Sequence, residues 1–358
     1  MLYREAGQYK TTYAADMAVF PLWQDRLLIA VCLFVGFVVI PLTGNDFLLN
    51  AVMIPFLVFS LAAIGLNLLT GYTGLLSLGT GAFMGVGAYA CNKLTTLFPN
   101  VNILLWLIAS GLFSAAIGTA FGLPSLRIKG FYLAVATLAA QFFLEWCFVR
   151  IPWLYNDSVS GAIQVPLRTA FGVPITGATA SATTRYYVTL SIVTLMTYLA
   201  SNLVHGRIGR SWMAVRDMDI AAELIGIRLL PTKLLAFAVS SFYCGVAGAL
   251  LVFVWYGGAE AEVFNINQSF FILFMVIIGG LGSLLGSFFG AALIFILPIV
   301  LRTVPPHLGI PLNGATAEHV TDMVVGALII LFLIVEPNGL ARLAQILKQK
   351  LRVWPFPY

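Results

Sequence analysis

Charge is what this sequence has least of. Only 9% of its 358 residues are charged, against 60% hydrophobic, and the mean hydropathy is +0.97. Soluble domains carry about 25% charge, so a water-soluble globular enzyme is excluded. Between Phe47 and Leu123 the sole charged residue is Lys93. Apolar runs this continuous also exclude an outer-membrane barrel, whose strands alternate polar and apolar. Cysteine is scarce: Cys32, Cys91, Cys147 and Cys244 each lie in an apolar run without metal-ligand spacing and read as small buried hydrophobes. Of His205, His307 and His319, none stands at metal spacing from another. There is no Gly-x4-Gly-Lys-Ser/Thr loop, so the chain does not bind ATP by that route. Gly85-Val-Gly87-Ala-Tyr-Ala90 matches a dinucleotide fingerprint only formally, because it lies in a membrane run without strand–turn–helix context. No catalytic residue, metal or cofactor is expected, and no nucleic acid, since the net charge of +5 sits at membrane flanks. The first 25 residues are polar and mixed in charge, unlike a cleavable signal.

What is present is a series of apolar runs near 27–42, 47–69, 75–91, 101–123, 131–149, 185–204, 233–256 and 320–336. A further stretch, 269–301, is too long for one crossing: about 50 Å as a helix, against a hydrocarbon core of about 30 Å. Its middle, Gly279-Gly280-Leu281-Gly282-Ser283-Leu284-Leu285-Gly286, makes a poor helix interior. Two segments with a break are expected there. With the break, fourteen Lys and Arg residues fall inside and five outside; a single span would change the split to eleven and eight. The fold class is therefore all-α, a polytopic membrane bundle of about 8–10 segments with Gly-rich interruptions. Residues 1–26 form a cytoplasmic segment, 27–336 the transmembrane domain with an outer loop at 150–184 and an inner loop at 205–231, and 337–358 a basic cytoplasmic tail. Gly74–Phe83 and Gly280–Gly290 echo each other weakly, as parallel repeats or as chance likeness between Gly-rich segments.

Three features are candidates for chemistry. Ser77, Gly79, Thr80 and Gly81, with Gly279, Gly280, Gly282 and Ser283, sit where helices would be interrupted. Such residues either pack helices closely or line a solute pathway with exposed backbone. Glu145 is the one acid well inside a run, either paired with Arg150 at the interface or facing a cavity. Asn67, Thr137 and Gln141 are polar interior positions suited to interhelical hydrogen bonds or to a pathway. The inner loop predicts one amphipathic helix over 211–225, with Ser211 as N-cap and Gly226 after its end. Its mixed charges, Arg207, Arg210 and Arg216 against Asp217, Asp219 and Glu223, favour docking to a soluble partner over resting on anionic lipid.

Four ordered blocks carry a resemblance. Gly74-Leu-Leu-Ser-Leu-Gly79-Thr-Gly-Ala-Phe83-Met-Gly-Val-Gly87-Ala-Tyr89 and Arg127-Ile-Lys-Gly130-Phe-Tyr132-Leu-Ala-Val-Ala-Thr137-Leu are two of them. The loop Gly209-Arg210 through Gly226-Ile227, and Met275-Val-Ile-Ile-Gly279-Gly-Leu-Gly-Ser283-Leu-Leu-Gly286, complete the set. Together they resemble LivM-type permease subunits of branched-chain amino acid ABC importers, over about 65–340. The resemblance implies a bacterial inner-membrane protein that hydrolyses nothing itself. Its implied partners are two cytoplasmic ATP-binding subunits, a second related permease subunit and an extracytoplasmic solute-binding protein. Ala221-Ala222-x3-Gly226 is similar to the ATPase-docking motif of importer permeases, but Ile220 stands where that motif has Glu, leaving Asp219 or Glu223 to supply the charge. Urea, short amides and small organic acids are alternative solutes within such a family. A stand-alone ion-coupled carrier and an intramembrane enzyme are the alternatives outside it.

Overall fold

The computed structural model describes residues 23–125, 132–158, 160–170, 172–177, 180–307 and 339–353, with isolated positions at 12 and between 320 and 334. The N-terminal segment before residue 23, residues 126–131 with Arg127 and Lys129, and most of the expected span at 320–336 lie outside the described residues.

Helix α1 begins at Trp23–Phe34 and runs through π turns at Val35–Val39 into Ile40–Thr43. Then follow α2 (Leu48–Thr73), α3 (Thr80–Leu97), α4 (Ile103–Ser125) and α5 (Tyr132–Arg150). Short strands β1 (Ile163–Gln164), β2 (Thr169–Ala170) and β3 (Val173–Pro174) precede α6 (Ala182–His205). Next come α7 (Arg207–Asp217), α8 (Asp219–Leu224), α9 (Leu229–Tyr256) and β4 (Gly258–Ala259). The last elements are α10 (Ile266–Gly279), α11 (Leu284–His307) and α12 (Gly339–Val353). Seven of the described helical stretches are long and apolar enough to cross a membrane, and Leu284–Val300 is a shorter apolar one. The architecture is a polytopic helical bundle, as the composition predicts.

The two most enclosed helices, α2 and α9, are each 83% buried over their apolar window, which is why they read as hydrophobic all round. Thirteen of the eighteen residues of α3 are buried with them. Glycines let these helices approach: a Cβ on Gly87 of α3 would land on the backbone of Gly245 in α9, and one on Gly248 of α9 on the backbone of Met84. The first helix is peripheral, with none of its apolar window buried. It docks on α6 where its π turns break the regular ladder: the hydroxyls of Tyr186 and Tyr187 donate to the Gly36 and Phe37 carbonyls at 2.8 and 3.1 Å.

The described residues of the expected outer loop at 150–184 include a 3-10 turn at Pro152–Tyr155 and the three short strands. The β1 strand pairs antiparallel with β4, Ile163 opposite Ala259, which ties this connection to the one after α9. Lys93 reaches the same end of the bundle. Its ammonium donates to Asn156 Oδ1 at 2.6 Å and sits 4.3 Å from the centre of the Trp153 ring.

The break in 269–301 falls at Gly280–Ser283, between α10 and α11. The 75–91 run differs from expectation. Its first residues, Leu75–Gly79, are non-helical, and α3 starts only at Thr80. The two echoing segments are thus both realised as helix, Gly-rich break, helix.

Gly87→Val should lower the thermal unfolding midpoint of the purified chain in detergent by several degrees, because overpacking a tight core costs about 1–3 kcal/mol. Gly36→Ala, whose methyl would meet the Leu190 side chain at 3.6 and 3.8 Å and the Tyr186 hydroxyl at 4.0 Å in ordinary contact, should leave the midpoint unchanged. An unchanged midpoint for Gly87→Val would contradict the close contact.

Candidate coupling and translocation site

Interrupting a helix leaves amide and carbonyl groups without partners, and in an apolar bundle each must find one. Two such places organise this chain. At the start of α3, the N–H groups that the helix cannot satisfy donate to side chains from other helices. The Leu78 N–H meets Thr137 Oγ1 at 3.0 Å, the Gly81 N–H meets Ser269 Oγ at 2.8 Å, and the Ala82 N–H meets Gln141 Oε1 at 2.8 Å. Gln141 also donates through Nε2 to the Phe264 carbonyl at 2.6 Å and accepts from the Ser269 hydroxyl at 2.9 Å. Ser77, Thr80, Thr137 and Gln141 are all buried, and Gly79 and Gly81 pack against the Thr137 backbone and α10. The Thr80 hydroxyl is the exception in this cradle, buried and without a hydrogen-bond partner.

The second place joins the end of α2 to the Gly280–Ser283 break. Asn67, fully buried, accepts from the Gly282 N–H at 2.9 Å. Its amide donates to the Ser283 carbonyl at 2.8 Å and to Ser287 Oγ at 2.9 Å. Ser283 in turn caps α11, its hydroxyl accepting from the Gly286 N–H at 3.1 Å. Gly280 and Gly282 hold φ of +116° and +75°, a region other residues rarely enter. Gly279 packs directly on the Gly286 backbone, closing α10 onto α11.

The loop after α6 reaches this same place. The α2 helix ends in a left-handed Gly74 (φ +70°), with the Leu75 N–H returning to Leu69 O at 3.2 Å as in a Schellman motif. The Gly71 carbonyl in that last turn accepts from Arg216 Nη1 at 3.0 Å. A cation at a helix C-terminus is favourable against the macrodipole. Arg216 also pairs with its neighbour Asp217 at 2.8 Å. A Cβ built on Gly282 would stand 3.4 Å from Arg216 Nη1, so loop, α2 and break meet at one arginine.

The loop itself differs from the single helix expected over 211–225. Met218 is extended (φ −161°, ψ 100°) and divides it into α7 and α8. Ser211 is not a cap: it lies inside α7 and its hydroxyl donates to the Arg207 carbonyl at 3.0 Å. Gly206 occupies the N-cap position, and Gly226 takes the expected left-handed position after α8 (φ +89°). One face is anchored by Trp212, fully buried with its Nε1 donating to the Thr232 carbonyl at 3.2 Å, and by Val215 and Ala222. The other face is outward and apolar: Met218, Ile220, Leu224 and Ile225 are 66, 67, 84 and 75% exposed. Arg207, Arg210, Ala221 and Glu223 are also exposed, while Asp219 pairs with Lys233 at 3.7 Å.

Glu145 is half-buried on α5 beside the exposed Phe142, Trp146 and Val149. No ion pair joins it to Arg150 among the described residues. Five residues apart on a helix leaves the two about 140° apart around the axis, which corrects that expected pairing. Sequence reasoning passed over Ser269, Gly71 and Ser287. Their only signal is that they are small, and small residues are common throughout this chain.

A helical bundle with two Gly-rich breaks and seven described stretches apolar enough to cross a membrane defines a multi-pass membrane protein. Residues 48–333 match the model of the branched-chain amino acid transport system permease component family, and the chain belongs to that family. It is 29% identical over 307 residues to the high-affinity branched-chain amino acid transport system permease protein LivM of Salmonella typhimurium, covering 79% of this chain and 68% of that protein. LivM of Escherichia coli K12 matches over the same extent and at the same identity. A probable LivM of Methanocaldococcus jannaschii is 23% identical, covering 82% and 93% of the two chains. No solved structure matches. The chain is a transport component.

Replacing Asn67 by Leu strips the break of its side-chain partners, leaving buried groups unpaired at about 1–3 kcal/mol each. Amide exchange over residues 280–284 is expected to accelerate and the thermal midpoint to fall. Exchange at the wild-type rate would show that Asn67 does not hold the break.

Proposed function

We propose that the chain is one membrane-spanning subunit of an ATP-driven importer that carries branched-chain or other hydrophobic amino acids by alternating access. The solute is inferred from the names of the relatives. The observation that carries the mechanism is the Arg216 bridge, since it joins an exposed loop to the interrupted segment through one side chain.

In this reading the 205–231 loop faces the cytoplasm of a bacterial inner membrane, as do both termini. The exposed Met218, Ile220, Leu224 and Ile225 meet an ATP-binding subunit, one of two that hydrolyse ATP. Ile220 makes this contact apolar, and the exposed Glu223 supplies its charge, because Asp219 is engaged by Lys233. Closure of the ATP-binding subunits displaces α7 and α8 together. Arg216 passes that displacement to the end of α2, and Asn67 passes it on to Gly279, Gly280, Gly282 and Ser283, where α10 and α11 turn against each other. Net import requires that ATP and the solute-loaded binding protein each favour a different state.

The solute path lies between this chain and a second, related permease subunit. Glu145 faces that path, which spares an ion-pair-free carboxylate from standing against lipid at an insertion cost of about 2.5–3.5 kcal/mol at mid-depth. The cradle of Ser77, Gly79, Thr80, Gly81, Thr137 and Gln141 borders the path, with the unpartnered Thr80 hydroxyl as its available polar group. The binding protein docks at the opposite end, over the strand-paired connections that carry Glu260 and Glu262. A stand-alone ion-coupled carrier has less support, because among the described residues no charged side chain is buried.

Ala222→Arg should unseat α8, since Ala222 is only 2% exposed and its face packs on the chain. Uptake of radiolabelled leucine by cells producing the complete importer is expected to fall below about a tenth of the wild-type rate, with membrane abundance unchanged. Normal uptake by this variant would contradict the assignment of α7 and α8 to coupling.

A further inference from the structure

The tail helix α12 reads Gly-Leu-Ala-Arg-Leu-Ala-Gln-Ile-Leu-Lys-Gln-Lys-Leu-Arg-Val. It holds four basic residues and no acid. Leu340, Leu343 and Leu347 recur every three or four positions and form one apolar stripe, a spacing that the sequence continues at position 351. By the helical repeat, positions 342 and 348 fall away from that stripe and position 350 borders it.

Only the first turn is seated on the bundle. Gly339 is buried at φ +69°, and a Cβ there would come within 2.6 Å of the Gly280 nitrogen and 2.7 Å of the Ile278 carbonyl. Ala341 is buried too, and Leu340 packs on the core. Beyond that turn the stripe leaves the protein: Leu343 is 44% and Leu347 60% exposed. The helix therefore starts against the Gly280 break, at the end of the bundle where α7 lies, and carries its leucines outward from there.

Charge decides what covers this stripe. The α7–α8 segment carries three arginines and three acids together, the mixed charge of a protein-docking surface. The tail helix has cations alone beside an apolar face, the pattern of a helix lying in a layer of anionic headgroups. We propose that α12 is an anionic-phospholipid contact, with Leu343 and Leu347 at the acyl boundary and its Lys and Arg side chains against lipid phosphates. That contact holds Gly339 against the broken segment from the membrane surface. The inference rests on the cytoplasmic placement of the tail only for which leaflet supplies the lipid.

The test uses the full chain in nanodiscs of phosphatidylcholine, with and without about 30% phosphatidylglycerol, and reads hydrogen exchange in peptides spanning 342–352. Exchange is expected to be about tenfold slower in the anionic discs. The difference should vanish at 1 M salt, where the screening length is about 3 Å, and in the combined variant Arg342→Gln, Lys348→Gln, Lys350→Gln, Arg352→Gln. Unchanged exchange in α2 and α9 peptides verifies that this variant is folded. Equal exchange in both lipids would overturn the proposal. Protection that appears only when ATP-binding subunits are added would also overturn it, by assigning the helix to them. The measurement involves no transport and both leaflets of a disc are alike, so it stands or falls independently of the solute and the orientation.

Discussion

Backbone amides and carbonyls cannot be left unpaired in an apolar bundle, and the breaks in this chain oblige other helices to supply partners. That constraint accounts for where several of its buried polar side chains sit. Asn67 serves the Gly280–Ser283 break; Thr137, Gln141 and Ser269 serve the start of α3. Each of these bonds joins segments far apart in sequence. An amide–carbonyl bond of this kind contributes a modest net stability, about 1 kcal/mol, whereas its loss leaves a buried group unpaired at greater cost. Polar residues in this interior therefore act as clasps whose removal is more consequential than their number suggests.

Close approach of helices is the second condition. The buried polar clasps reach their targets because Gly71, Gly87, Gly248 and Gly279 let backbones meet where a methyl group has no room. At Gly71 the same absence of a side chain leaves the helix end open to the Gly282 backbone and to Arg216. The arginine is placed by the anchored face of α7, which Trp212 and Val215 fix to the bundle. Packing, capping and the loop's exposed apolar face are thus parts of one connected arrangement.

The bundle and its interruptions were legible in the sequence because hydropathy and helix propensity act locally. Run lengths against the bilayer thickness located the Gly280 break, and the Gly226 terminus followed from the need for a left-handed residue. The small residues Ser77–Gly81 signalled the interruption before α3, but not that the apolar run from Leu75 lies outside the helix, since Leu75, Leu76 and Leu78 are apolar whether helical or extended. The division of the loop at Met218 was equally invisible, because Met is compatible with a continuous helix and the extended residue is set by tertiary seating on both sides. The partners of Asn67 and Arg216 lie more than 140 residues away, at sequence separations of 215 and 145. No local pattern reports such pairings. Glu145 shows the converse case: a salt bridge suggested by nearness in sequence is excluded by helical geometry.

The central claim is that motion of the α7–α8 loop reaches the broken helix through Arg216. It is tested most directly by comparing ATP hydrolysis with solute uptake in proteoliposomes holding the complete importer, with Arg216 or with Arg216→Ala. The account predicts an uncoupled transporter, in which hydrolysis continues within about twofold of wild type while uptake falls by more than about tenfold. Uptake that stays proportional to hydrolysis in the variant would contradict it.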